Sequence, residues 1–561
     1  MSAIASPDIH TLEAAPRFAA SSPHQHVLGR VEPSELKFVI FAGSIICLLT
    51  SFPYWLGSRL STPDHVFTGV LEYSADANNY LAYAHQAEMG QWLFHNPMTG
   101  EPHGNVFFNL EWLLIGKLAR MLNAPLPVGT NILRLFATVL MIYGVYWLSS
   151  FFLRSRLLRQ IALMGIMMGG GFGWIAAVHL FHIPLDSSYF LDLTHANLFP
   201  FYWALKLPHF IVSEALIVLG ACFFLHAENR GRAHSYVLAG VCYIAGGTCR
   251  PYDMLFAMAA TSAYVVLSCA QKKKFDWVLL RLLPVLMCIP ALAYYYWIFK
   301  VHPVFRWWSL PGGQAPPPSL LVLGFGMTSV CLALSLWKLR GRHNPQTAFL
   351  LCSLFFAVVL TYSHCIFHFA YQFATNLLVP AVLLILIAWE DSILRFYRKG
   401  HRGKLLVIAL VTVNSLTSLS LAAQALVLVK AGNFRVDGEL LAGYSWLNSH
   451  SHPDELVLAD FPVSNQLPQY IHNRVFCGYA NAVQFSEKES ELHRFFAPIA
   501  EPGFREELVR RNAIRWVVLT HVERESMGSL ADETMFREAF HNSALTIFEV
   551  APSSLRASEH R

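Results

Sequence analysis

The chain has 561 residues, of which 55% are hydrophobic and only 14% charged, against roughly 25% charged in an average soluble protein. Its net charge is +5, and the basic residues are scattered between apolar runs, which excludes a nucleic-acid-binding surface. All but one of its ten cysteines lie in or beside apolar segments, Cys477 being the exception, so neither a disulfide framework nor a CxxC metal site is expected.

Residues 1–36 are rich in Ser, Pro, His and Ala and precede the first apolar run. They are too polar and too long for a simple cleavable signal and are expected to form a disordered cytoplasmic extension. Apolar stretches follow at 38–55, 128–153, 278–299, 320–337 and 405–429, each near or above the ~20 residues that cross a bilayer. Lys and Arg concentrate in alternate loops, such as Arg154, Arg156 and Arg159, or Arg395, Arg398, Lys399, Arg402 and Lys404. The other loops, 57–104, 183–197, 300–318 and 365–374, hold only Arg59, Lys300 and Arg306. Cytoplasmic loops retain positive charge, so the amino terminus is expected inside and the carboxyl terminus outside.

This alternation requires that 106–122, "VFFNLEWLLIGKLARML", does not cross. Glu111, Lys117 and Arg120 make it a poor span and a reasonable interfacial helix with its aromatic and leucine face in lipid. Residues 235–270 read as two short spans broken at "CRPYD" by Pro251. The expectation is an all-α polytopic membrane protein of about eleven transmembrane helices. Its membrane domain, 37–429, carries one long external loop, 57–127. The tail, 430–561, differs in kind: helix 437–449, strand "LVLAD", helix 463–471, short strand "RVFCG", helices 486–497 and 503–512, and strands "IRWVVLT" and "ALTIFEV". That is an external α/β domain.

The long loop opens with "EYSADANNYLAYAHQAEMG" (72–90). On a helix beginning near Asp76, the residues Asp76, Asn79, Tyr80 and Tyr83 share one face. A carboxylate between amide and phenol groups can act as a general base; solvated surface or helix capping is the competing explanation. A second acid cluster, Asp186, Asp192 and His195 in "IPLDSSYFLDLTHAN", is expected on the same side. Groups able to pair a lipid phosphate at the membrane edge are Lys206 and His209 in "WALKLPHF", Arg250 and Tyr252 in "CRPYD", and His364, His368, Tyr371 and Gln372 in "SHCIFHFAYQ". Lys300, His302 and Arg306 in "KVHPVFRWW" are further candidates, although Lys300 and Arg306 also suit snorkelling at a span end. His364 and His368, four apart, suit a metal pair, but no third ligand is adjacent; no metal ligand is assigned, and a divalent cation is left open. No Walker, GxSxG, HExxH or dinucleotide-binding motif stands in a credible context.

A first span, an external loop opening on an acid and a "DANNYLAYAHQAEMG" helix, an in-plane helix, many further spans and an external α/β tail together resemble the GT-C superfamily of integral membrane glycosyltransferases. The tail segment "YSWLNSHSHPDELVLAD…LPQYIHNRVFCGY" is similar in pattern to the external domains of many bacterial members. The resemblance implies a polyprenyl-phosphate or polyprenyl-diphosphate sugar donor, with Asp76 as base and Asp192 or Asp186 as a second external acid. It implies transfer to a cell-envelope glycan, lipid or protein at the outer face of the cytoplasmic membrane. Protein O-mannosyltransferases carry an Asp-Glu pair where Ala77 follows Asp76 here, which argues against mannosyl transfer to protein. The rival reading is a transporter or flippase of a lipid-linked or amphiphilic solute, although the halves lack the self-similarity common in transporters. A non-catalytic assembly or sensor protein is a third.

Overall fold

The computed structural model describes residues 28–71, 74–179, 190–195, 198–273, 275, 277–309, 315–341, 345–499, 501, 503–527, 530 and 535–551. Asp186 and residues 1–27 lie outside these. Among the described residues, seven helices are long and apolar enough to cross a membrane: Pro33–Arg59, Leu126–Ser150, Pro208–Arg230, Pro251–Lys272, Leu283–Val301, Ala370–Arg398 and His401–Lys430. The pair Pro318–Phe325 and Met327–Leu339, bent by 103°, adds an eighth. Hydropathy windows suggest about eleven spans because three more helices are apolar but short. Arg156–Met167 has 12 residues, and Ala233–Cys249 and Pro345–Thr361 have 17 each, less than the ~20 that span hydrocarbon.

The segment 106–122 contributes the helix Leu110–Leu122, opened by Asn109, whose side chain accepts from the Trp112 N–H at 3.1 Å. It packs on the helix Ser74–Glu88 almost backbone to backbone: a Cβ on Gly116 would stand 2.2 Å from the Ala84 carbonyl oxygen. The expected aromatic face in lipid is corrected here. Trp112 is buried against protein, whereas Met121 and Leu122 at the far end are exposed. Gly116 lets the two helices close at Ala84 and Ala87, and the Trp112 ring stacks on Tyr80 and Tyr83 of Ser74–Glu88.

The long loop 57–127 and the tail are joined. Strand β1 (His65–Phe67) pairs antiparallel with β2 (Arg435–Asp437). Beyond it, β3 (Leu456–Ala459), β4 (Ile514–Thr520), β5 (Phe536–His541) and β6 (Leu545–Val550) form a sheet of order β3-β4-β6-β5, with only β3 and β4 parallel. Leu458, Leu519 and Phe548 enter one core and Val457, Val518 and Ile547 another. Both faces of the sheet are therefore covered, which is why these strands read as continuous apolar runs. The expected strand "RVFCG" makes only two isolated bridges, Val475 to Val457 and Cys477 to Thr99 of the loop. β5, "FREAFH", escapes sequence reading because its charged residues break the β pattern.

Candidate active site

Asp76, Asn79 and Tyr80 rise from the first turns of Ser74–Glu88 and face one cavity of about 400 Å³. Tyr83, one turn further, does not reach it. Its fully buried ring lies near-parallel to those of Trp112, 4.6 Å away, and Trp308, 5.7 Å away. Trp112 and Trp308 themselves line the cavity, with Phe107 and Phe299 beside them. The helix face expected from the sequence thus divides into a polar edge at the cavity and an aromatic wall behind.

The basic side is built at the break between two apolar helices. Arg250 is extended (φ −142°) between Ala233–Cys249 and Pro251–Lys272, with Pro251 opening the second helix. Its guanidinium donates to Asp253 Oδ2 at 2.9 Å and Gln372 Oε1 at 3.4 Å, and its carbon lies 3.7 Å from the Phe210 ring centre. Glu214 is 3.9 Å away. Arg250 is therefore only 4% exposed, yet borders the cavity. His209 lies against Tyr80, ring centres 4.8 Å apart, and Tyr252 packs edge-on against Phe373. Both line the same space, as do Lys300, His368, Tyr371 and Gln372. Tyr296 and Ile366, also lining, are exposed apolar surface.

One residue that the sequence did not single out joins the site, and a second lies buried behind its lining. Tyr479, from the tail, donates its phenolic O–H to Asp76 Oδ1. Burial pushes the Asp76 carboxyl above the usual carboxylate range, and this bond works against that push. Glu111, 2% exposed and next to Trp112, is pushed up to about 8 by burial, with Arg250 opposing. Its Oε2 has no hydrogen-bond partner.

Three expected members stand elsewhere. Asp192 is not at the cavity. Its Oδ2 accepts from the Gly171 and Gly173 N–H groups and the Thr417 hydroxyl, each at 2.8 Å, so it satisfies the glycine-rich turn after Arg156–Met167. Lys206, 9% exposed, ends the short helix Pro200–Lys206 with its Nζ over the Tyr202 ring at 5.1 Å. His195 is exposed beside Thr194, 3.3 Å from its hydroxyl. His364 and His368 do not share a helical face, because 362–369 is a series of turns. Among the described residues, no group of three or more His, Cys, Asp or Glu is arranged to hold a metal ion.

The cavity is bordered by one carboxylate and one buried guanidinium, walled by aromatics inside a bundle of apolar helices, and Tyr479 enters it from the α/β tail. No family model and no curated protein matches the chain in sequence. Two structures of the Archaeoglobus fulgidus oligosaccharyltransferase are similar in fold. The complex with zinc and sulfate has a TM-score of 0.52 at 14% identity, covering 93% of this chain and 74% of that one. The form tethered to an acceptor peptide with the NVT sequon has 0.51 at 11%, covering 94% and 75%. ArnT from Cupriavidus metallidurans bound to undecaprenyl phosphate gives 0.48 at 10%, covering 93% and 99%.

Proposed function

We propose that this protein is a membrane glycosyltransferase that moves a sugar from a polyprenyl-phosphate carrier to an acceptor hydroxyl on a cell-envelope glycan, lipid or protein. The observation that carries the reading is the meeting of Asp76 and Arg250 at one aromatic-walled cavity that also borders exposed apolar surface at Tyr296 and Ile366. A prenyl chain suits that apolar border, and the sugar suits the Trp112 and Trp308 faces.

Asp76 takes the acceptor proton as the acceptor oxygen attacks the anomeric carbon. The anomeric carbon–oxygen bond to phosphate breaks, its electron pair leaves with the phosphate, and configuration inverts. Arg250, with Lys300 nearer the surface, neutralises the departing phosphate, and His209 and His368 hydrogen-bond it. Asn79, Tyr80 and Tyr252 orient sugar and acceptor. Asp192, Lys206 and His195 have no part in this scheme, since they do not line the cavity. The cavity would open to the non-cytoplasmic face of the cytoplasmic membrane.

The gathering of Asp76, Arg250 and Tyr479 at a cavity under the tail favours transfer over transport. The test is a radiolabelled-sugar transfer assay using membranes that contain the full chain and a panel of polyprenyl-phosphate and polyprenyl-diphosphate sugars. Label moving from one donor to a membrane or envelope acceptor supports the reading. Protein-dependent movement of intact donor between leaflets, with no transfer, contradicts it.

A further inference from the structure

We infer that Tyr479 is a positioning residue for the base: its phenol fixes Asp76 through Oδ1, leaving Oδ2 to receive the acceptor proton. The inference rests on Asp76 being the base.

The geometry is specific. Tyr479 is carried on a segment clamped to the external loop at successive residues. Val475 N–H donates to the Pro97 carbonyl and Gly478 N–H to that of Met98, each at 3.0 Å. Asn481 Nδ2 donates to Asn79 Oδ1 at 3.1 Å, and the Asn481 carbonyl accepts from Asn96 Nδ2 at 3.0 Å. Gly478 has no room for a side chain: a Cβ there would stand 2.7 Å from the Ser464 carbonyl oxygen and 2.8 Å from the Met98 sulfur. The backbone before the tyrosine is thus held on two sides, and the ring enters the cavity from a fixed place.

This arrangement settles two problems for a buried carboxylate. An Asp in a low-dielectric pocket can rotate about its last torsion and tends to stay protonated, and either defeats it as a base. A phenol on Oδ1 fixes the rotation and favours the ionised form, because only the carboxylate accepts that bond with full charge assistance. The tail therefore adjusts the proton affinity of a group that the membrane domain supplies.

The test needs no knowledge of the substrate. Dicyclohexylcarbodiimide reacts with protonated carboxyls in membranes, and mass spectrometry of the peptide containing Asp76 measures labelling rate against pH. The full chain, its Tyr479→Phe variant and its Asp76→Asn variant are compared. For Tyr479→Phe the labelling midpoint moves to higher pH, so that Asp76 labels about tenfold faster at about pH 7. The low-pH plateau, which reports reagent access, stays unchanged. An unmoved midpoint, or a change confined to the plateau, overturns the inference even if the variant is less stable. Asp76→Asn is assayed in parallel for sugar transfer. Undiminished transfer there overturns the base reading itself, whatever the labelling gives, so the two failures are told apart.

Discussion

Asn78 on the helix Ser74–Glu88 donates to Asn465 Oδ1 at 2.9 Å and accepts from Gln469 Nε2 at 2.9 Å, residues 387 and 391 positions later in the chain. Both ends of a buried amide are satisfied by the tail. The helix that carries Asp76 is therefore set from two sides, by the helix Leu110–Leu122 below and by the tail above.

Replacing Asn78 by Ala strands the Asn465 and Gln469 side chains in a buried seam. Each loses a partner that water cannot replace, so the variant should be destabilised by about 1–3 kcal/mol. Thermal unfolding in detergent measures this, and an unchanged midpoint would mean that the seam is wet.

Arg250 has two duties that separate by substitution. Arg250→Met leaves Asp253 and Glu214 without their cation, and buried charges so stranded cost about 3–5 kcal/mol; this variant should accumulate poorly in the membrane. Arg250→Lys keeps the charge but loses the planar fork that spans Asp253 and Gln372. It should accumulate normally and raise KM for a polyprenyl-phosphate sugar by about tenfold or more, which donor titration measures.

Trp308→Ala opens the aromatic wall. It removes stacking on Tyr83 and Trp112, each contact being worth about 0.5–1.5 kcal/mol, and with it the surface on which the sugar would lie. The expected outcome is a KM for donor raised about tenfold with kcat less affected, read from the same titration.

His103 gives a pH dependence of known sign. Its Nε2 accepts from the Asn96 N–H at 2.7 Å, and burial holds the ring down to about 4. The unfolded chain takes up this proton near about pH 6.5 and the folded chain only near 4. Between these values the unfolded state binds more protons, so stability falls as pH falls through that window. The loss in unfolding temperature from about pH 7 to about pH 5 should be smaller in His103→Gln than in the unmodified chain.

Asp76, Asn79 and Tyr80 were legible because a helical repeat alone puts them on one face, and Arg250 and His209 because polar groups among apolar ones must be explained. Asp192 misled for a physical reason. Its partners are the backbone N–H groups of Gly171 and Gly173 and the hydroxyl of Thr417, and no side-chain pattern announces that a glycine turn needs an acceptor. Tyr479 was hidden because its partner lies 403 positions away and "CGYANAV" carries no local signature. Glu111 counted in the sequence only as a charge unsuited to a span, whereas it is buried and faces Arg250, which lies far along the chain. Periodicity reports one element at a time; the site is made where two distant segments meet.

The most direct measurement is transfer of radiolabelled sugar from a polyprenyl-phosphate donor by membranes containing the Asp76→Asn chain, normalised to folded protein. The account predicts transfer reduced by about a hundredfold or more, with the protein still present in the membrane. Transfer within a few-fold of the unmodified chain would contradict it.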